Sequence, residues 1–244
     1  MKVISLFSGA GGMDIGFEQA GFEVVVAVEQ DPSCCHTLRK NRPNLHVLER
    51  SVTDVSGDEL LYLSGLKKTE PALVIGGPPC QSFSLAGKRM GLSDDRGLMI
   101  LEFSRIVHEV LPTAFVMENV KGMMNWEQGK AIEAVLNEFR EPRIHGGKEY
   151  HYDVSCDVLN AVDFGVPQYR ERLFLVGNRV GKTFGFPKPT HAAMDDTELL
   201  FEPSVQQHNT VWNAIGSLPP ADEPSDTAKR VAKTIKGRIV KHGY

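Results

Sequence analysis

The apolar run Leu73-Val74-Ile75 breaks at once into Gly76-Gly77-Pro78-Pro79-Cys80-Gln81-Ser82-Phe83-Ser84. Three consecutive apolar residues bounded by turn formers suit a short buried strand. Gly76 and Gly77 let the chain turn, Pro78 and Pro79 then fix it extended, and the residue before each proline loses access to the helical region. The spacing predicts a loop at the carboxyl end of a strand, where open α/β sheets gather their reactive groups, with the Cys80 thiol aimed rather than buried. On local features alone, an incidental cysteine in a proline-rich surface turn fits as well.

The same order of strand and turn recurs upstream. Val3 to Phe7 reads as a buried strand that enters Ser8-Gly9-Ala10-Gly11-Gly12-Met13-Asp14 and then an amphipathic stretch to Ala20-Gly21. A glycine-rich strand-to-helix turn brings backbone amides close to a ligand. The spacing Gly9-x-Gly11-x-x-Asp14 lacks the third glycine of the dinucleotide fingerprint, which argues against a nicotinamide or flavin enzyme. Phe22 to Val28 is a second strand, ending in Glu29 and Gln30 before Asp31-Pro32, an N-cap with proline at the first helical position. That helix should stop at Asn41, before Pro43. An acid about twenty residues past the glycine turn can accept hydrogen bonds from ribose hydroxyls, so a nucleoside ligand is expected; a solvated strand-end acid is the alternative. Cys34 and Cys35 read as packing residues, because nothing nearby would make either thiol acidic. Leu45 to Leu48 is a third strand. Asp54, after it, can accept from an adenine amino group or merely cap the helix expected over Ser56 to Leu66.

Downstream of Cys80, the polar stretch from Gly87 to Gly97 has the character of a lid or binding loop. Leu98 to Leu111 shows Ile100, Phe103, Val107 and Val110 on one helical face. The strand Ala114 to Met117 then delivers Glu118-Asn119-Val120 to the edge that carries Cys80. A helix around Gly129 to Phe139 follows, and Tyr152 to Leu159 and Arg172 to Val176 read as a hairpin-like pair of strands. If the chain is extended before Arg172, Gln168, Arg170 and Arg172 share a face, a set suited to a phosphate, a carboxylate or a base carbonyl, or to a charged edge strand.

The 244 residues suffice for one large α/β domain with a small appendage. No apolar run approaches the roughly 20 residues of a membrane span, and the first residues meet glycine too soon for a signal peptide. Four cysteines without a CxxC pair argue against a zinc site or a disulfide framework, so no metal and a reducing, cytoplasmic setting are expected. A net charge of −4 gives no global attraction to nucleic acid, so any DNA contact needs a local positive surface or another chain. Beyond Phe186 the chain turns proline-rich and polar, with one amphipathic island from Val211 to Leu218. Lys229 to Tyr244 is basic without an acid, either a solvated end or a phosphate contact.

Taken together, these segments resemble the DNA cytosine-5 methyltransferases over residues 3 to 190. Phe7-Ser8-Gly9-Ala10-Gly11-Gly12 is similar to that family's S-adenosylmethionine loop, and Glu29 and Asp54 to its ribose and adenine acids. Gly77-Pro78-Pro79-Cys80-Gln81 resembles its nucleophile loop, Asp95-Arg96-Gly97-Leu98 the cofactor-side motif that follows, Glu118-Asn119-Val120 its glutamate motif, and Gln168-Tyr169-Arg170-Glu171-Arg172 its paired arginines. The resemblance implies a doubly wound, mostly parallel α/β sheet of the Rossmann-like methyltransferase type. It implies Cys80, Glu118, Arg170 and Arg172 as catalytic residues. Phe7 to Gly12, Glu29, Gln30, Asp54, Pro79 and Leu98 would hold S-adenosylmethionine, the methyl group going to carbon 5 of a flipped-out cytosine.

The family carries a target-recognition domain and closing motifs after the paired arginines, and residues 191 to 244 match none of these convincingly. The expectation is therefore a catalytic domain over 1–190 and a linker over 191–244, with double-stranded DNA as substrate and recognition supplied by a second polypeptide, or else a chain cut short of its recognition half. A relative acting on RNA, or a cofactor-binding module without catalysis, are the other readings.

Overall fold

The computed structural model describes residues 1–79, 95–193 and 205–218, with isolated positions 226, 229, 230 and 233. Five apolar runs form the parallel part of a seven-stranded sheet: β1 (Lys2–Leu6), β2 (Glu23–Glu29), β3 (His46–Glu49), β4 (Leu73–Gly76) and β5 (Ala114–Val120). The strand order is β3-β2-β1-β4-β5-β9-β8, where β8 (Asp153–Asn160) and β9 (Glu171–Asn178) join as antiparallel neighbours. The chain winds outward from β1 through β2 to β3, then restarts on the other side at β4. This reversal leaves a crevice at the carboxyl ends of β1 and β4, the place where doubly wound sheets bind ligands.

Side-chain alternation sends successive residues to opposite faces. Ile4, Leu6, Val26, Val28, Val74, Phe115, Met117, Leu173 and Leu175 all enter one core cluster, packed by α3 (Gly57–Ser64), α4 (Asp95–Val110) and α5 (Lys130–Arg140). The predicted stripe of Ile100, Phe103, Val107 and Val110 is buried there, as are Ile132, Val135 and Phe139 of α5. Phe115 stacks on Phe139 with ring centroids 4.4 Å apart. Gly177 of β9 lies so close that a Cβ there would come within 2.1 Å of the Phe115 ring, so only glycine keeps β9 in register over it. Burying each of these rings contributes about 2–3 kcal/mol.

The opposite face carries α1 (Gly12–Gln19), whose Met13 and Phe17 pack on the cluster of Val3, Val24, Leu73 and Ile75. α2 (Pro32–Asn41) starts as the sequence predicts: Asp31 accepts from the amides of Ser33 at 2.8 Å and Cys34 at 2.9 Å, with Pro32 in the first turn. Cys35 is fully buried, and burial pushes both vicinal thiols up, consistent with a packing role. The hairpin of β6 (Arg143–His145) and β7 (Lys148–Tyr150) is new to the sequence reading. Gly146 and Gly147 close it at φ +59° and +74°.

The chain divides into two compact units, residues 1–160 with 171–188, and residues 161–170 with 189–244. In the second unit a 3₁₀ turn over Ala161–Phe164 is tied to later residues: Thr190 donates its amide to the Asp163 carbonyl at 2.9 Å, and His208 meets the Asp163 carboxylate at 3.1 Å. β10 (His191–Ala192) and β11 (Gln206–Gln207) form a short parallel pair. The amphipathic island forms α6 (Val211–Ile215), closed at its start by reciprocal bonds between Thr210 and Asn213, with Val211, Trp212, Ile215 and Leu218 exposed.

Candidate active site

At the carboxyl ends of β1, β2 and β4 the chain encloses a cavity of roughly 190 Å³, lined by Phe7, Val28, Glu29, Gln30, Arg50, Ser51, Val52, Gly77 and Pro79. Its shape follows from the turn after β1. Phe7 takes φ +52°, a region that a bulky side chain rarely occupies, and Gly9 and Gly11 take φ +54° and +88°. A strained aromatic facing a cavity is the kind of backbone outlier that collects at ligand sites. At Gly11 the space is also filled, since a Cβ would stand 2.9 Å from the Leu38 side chain of α2.

Glu29 fastens this turn. One carboxylate oxygen accepts the Gly9 amide at 2.7 Å, and the other accepts the amides of Gln30 and Asp31, both at 2.8 Å. A carboxylate offers about four lone-pair sites, so three are engaged and one stays open toward the cavity. Beneath the turn, Ser8 donates to the Ser5 hydroxyl at 2.9 Å, and Ser5 donates to Asp14 at 2.6 Å. Asp14 is completely buried, and burial raises its carboxyl above the usual range. The sequence shows Asp14 only as a spacing position; its load-carrying contact to Ser5 comes from packing.

Asp54 ends the 3₁₀ turn Val52–Asp54, whose Val52 forms part of the cavity wall. Asp54 itself is exposed beyond that wall. Leu98, on the first turns of α4, is 41% exposed and does not line the cavity.

The second group of residues gathers on β5 and β9. Glu118 and Arg172 point to the same face, since Glu118 pairs with Phe174 and Val120 with Arg172 across the two strands. The Arg172 Nε donates to the Glu118 carboxylate at 2.8 Å. The other Glu118 oxygen lies 3.1 Å from where a Gly77 side chain would begin, and Asn119 donates to the Pro78 carbonyl at 3.4 Å. Gly77 therefore borders the cavity and the Glu118 carboxylate at once. Cys80 and the polar stretch up to residue 94, where the nucleophile and the lid are expected, lie outside the described residues.

One expectation needs correcting. Gln168 does not lie in one extended run with Arg172: β9 begins at Glu171, opposite the last residue of β8, Asn160. Before that point Gln168 donates to the Val166 carbonyl at 2.7 Å, a tight turn beside Pro167, and Arg170 uses its carbonyl to accept from Ala161. Arg170 falls in the second unit and Arg172 in the first.

Comparison with known proteins identifies this arrangement. The model of the C-5 cytosine-specific DNA methylases matches residues 1–236. The chain belongs to that family. It is similar to the Type II methyltransferase M.AquIA of Picosynechococcus, at 58% identity over all of this chain and 99% of the relative. Against M1.HphI of Haemophilus parahaemolyticus it is 40% identical over 90% of its own length, and against M.XorII of Xanthomonas oryzae 42% over 90%. Of those two longer relatives it spans 53% and 46%, about half. Among solved structures, an E. coli prophage protein described as a DNA modification methyltransferase superposes with a TM-score of 0.67 at 28% identity, over 90% of this chain and 55% of that one.

As a C-5 cytosine DNA methylase the chain is a methyltransferase, and the site suits its cofactor. The Glu29 carboxylate and the apolar side chains of Phe7, Val28 and Val52 line the cavity together, the mixture a nucleoside-bearing cofactor would need. Val28, Arg50, Ser51 and Val52 carried no signal in the sequence, because they reach the cavity only through the parallel register of β2 with β3. Among the described residues no group of three or more His, Cys, Asp or Glu could hold a metal ion, and no helix is long and apolar enough to cross a membrane.

Proposed function

We propose that this chain carries the cofactor-binding and catalytic machinery for methylation of carbon 5 of a flipped-out cytosine in DNA, in a bacterial restriction-modification system acting in the cytoplasm. The observation that carries the reading is the Glu118–Arg172 pair held against Gly77, on the segment that continues to Cys80.

In this reading Phe7 to Gly12, Glu29, Gln30, Asp54, Pro79 and Leu98 hold S-adenosylmethionine. When bound, it supplies an electrophilic methyl group and leaves as S-adenosylhomocysteine. Carbon 5 of cytosine is a poor nucleophile, so the Cys80 thiolate first adds to carbon 6, forming a sulfur–carbon bond and pushing electron density into the ring. Glu118, as an acid, gives a proton to ring nitrogen 3 and so relieves the charge. Arg172, oriented by Glu118, turns its remaining N–H groups to the base carbonyl oxygen. Arg170 supports the Cys80 loop. Carbon 5 then bonds to the methyl group, its hydrogen passes as a proton to water at the site, the sulfur–carbon 6 bond breaks to restore the Cys80 thiolate, and ring nitrogen 3 returns its proton to Glu118.

A second polypeptide carrying target recognition is part of the proposal, with 1–190 as the catalytic domain and 191–244 leading toward the recognition domain. Its support lies on the sheet face that carries α1. An apolar groove of roughly 560 Å³ runs there over Leu73, Ala114, Val116, Phe174 and Val176, walled by Phe17 of α1 and by Phe184.

Methyl transfer from labelled S-adenosylmethionine to mixed-sequence DNA tests this reading, with and without the polypeptide encoded downstream. Site-specific transfer should require both. Robust site-specific transfer by the chain alone would refute the two-chain arrangement, and no transfer by either preparation would refute the activity.

A further inference from the structure

The turn that carries Asp54 is held from outside by one residue of α4. Arg105 engages all three nitrogens of its guanidinium: Nε donates to Glu102 at 2.8 Å, Nη1 to the Glu109 carboxylate at 2.9 and 3.0 Å, and Nη2 to the carbonyls of Val52 at 3.0 Å and Val55 at 2.9 Å, with Glu102 also 2.7 Å from Nη2. Glu109 extends the grip by accepting the Gly57 amide at 2.6 Å. The approach is close enough that a Cβ on Gly57 would fall 2.5 Å from the Glu109 Cβ, so glycine alone fits. The two carbonyls held by Arg105 bracket Thr53 and Asp54, and Val52 is at the same time a wall of the cavity.

We propose that Arg105 is a positioning residue for cofactor recognition: it fixes the Val52–Val55 turn so that Asp54 meets the exocyclic amino group of the adenine. The inference rests on the reading of Asp54 as the adenine acid, and it adds a residue that touches neither cofactor nor DNA. Ordinary helix packing could be served by any residue of similar bulk. A bidentate hold on two backbone carbonyls cannot, because it dictates the direction in which the intervening residues face. Lysine, with a point charge and three rotatable donors, reaches the carbonyls without fixing their relative geometry.

The test compares binding of S-adenosylhomocysteine with binding of its hypoxanthine counterpart, which carries an oxo group where adenine has the amino group. Calorimetry is done on the DNA-methylating preparation and on Arg105→Met, Arg105→Lys and Asp54→Ala. The wild type should prefer the adenine ligand by roughly ten- to a hundredfold, the worth of one hydrogen bond to a charged group. Asp54→Ala and Arg105→Met should bring that preference near unity while affinity for the hypoxanthine ligand stays within about twofold, and Arg105→Lys should restore part of it. Equal weakening of both ligands by Arg105→Met, or an unchanged preference, would overturn the positioning role. Should Arg105→Met fail to fold, an unchanged preference in Arg105→Lys decides against it in the same way. A wild type without preference, or an Asp54→Ala variant that keeps it, would overturn the Asp54 reading and this inference with it; loss in Asp54→Ala but not in the Arg105 variants would overturn this inference alone.

Discussion

The Nε of Arg172 donates to the carboxylate of Glu118 at 2.8 Å, across neighbouring antiparallel strands that each leave the pair about a quarter exposed. The pair is thus rigid in backbone and open in side chain, as groups must be that hold one another until a base arrives. Glu118→Gln keeps the shape but removes the proton, and should lower single-turnover methyl transfer by about 10²–10⁴-fold, the usual range for a general acid. Arg172→Lys should lose at least tenfold, because three rotatable donors on one nitrogen do not fix the directions of Glu118 and a base carbonyl as the planar fork does. Cofactor binding should be unchanged in both, and a matching loss there would place the pair in the cofactor site instead.

Glu29 has three backbone amides on its carboxylate and one site open. Holding two ribose hydroxyls therefore requires one amide contact to be released, so cofactor affinity and the order of the glycine turn are linked. Glu29→Gln should weaken S-adenosylmethionine binding by roughly ten- to a hundredfold, since bonds to a charged group contribute about 1.5–3 kcal/mol. Amide exchange at Gly9 should speed up in the same variant. Unaltered calorimetric affinity would remove Glu29 from the cofactor site.

His108, on α4, titrates in the core. Burial first, then the nearby Arg143 charge, lower it from 6.5 to about 4. Its Nε2 has no hydrogen-bond partner, while Nδ1 lies 3.3 Å from the Ser104 hydroxyl. Because the folded value is the lower one, the neutral ring's contribution is complete above the unfolded value, shrinks as pH falls from 6.5 toward 4, and is lost below. Between pH 7 and pH 5 this removes about 2 kcal/mol of stability, or roughly 5 °C in melting temperature. His108→Phe should flatten that part of the profile, and an unchanged acid slope would assign it to other groups.

The groove over β4, β5 and β9 predicts a stability response to the second polypeptide. Val116→Asp, in the groove floor but outside the cavity, should weaken assembly of the two chains by at least tenfold, the effect of an unpaired carboxylate in an apolar seat. Analytical ultracentrifugation reads this directly, and assembly at wild-type strength would place the interface elsewhere.

Much of the fold was legible because its causes are local. The apolar stripe of Ile100, Phe103, Val107 and Val110, the Asp31 cap and the strand ending at Glu29 all follow from periodicity or turn chemistry, while β5 runs three residues beyond the expected Met117, to Val120, because β9 pairs with it that far. What stayed hidden depends on partners distant in sequence. Arg105 reaches the Val52 carbonyl across 53 positions, and no spacing rule signals such a contact. The alternation drawn through Gln168, Arg170 and Arg172 breaks at Gln168, where the chain bends beside Pro167 and the Gln168 amide turns to the Val166 carbonyl. The Gly146-Gly147 hairpin, by contrast, carried a readable signal in its paired glycines, which suit a two-residue turn with positive φ.

The central claim is that Cys80 attacks carbon 6 of a cytosine that Glu118 and Arg172 hold. DNA containing 5-fluorocytosine at the target position tests it most directly, since fluorine cannot leave as a proton does and the covalent species accumulates. With S-adenosylmethionine and the methylating preparation, the account predicts a denaturant-stable protein–DNA adduct that maps to the peptide bearing Cys80 and is lost in Cys80→Ser. An adduct of undiminished yield in Cys80→Ser, or one that maps to Cys34, Cys35 or Cys156, would contradict it.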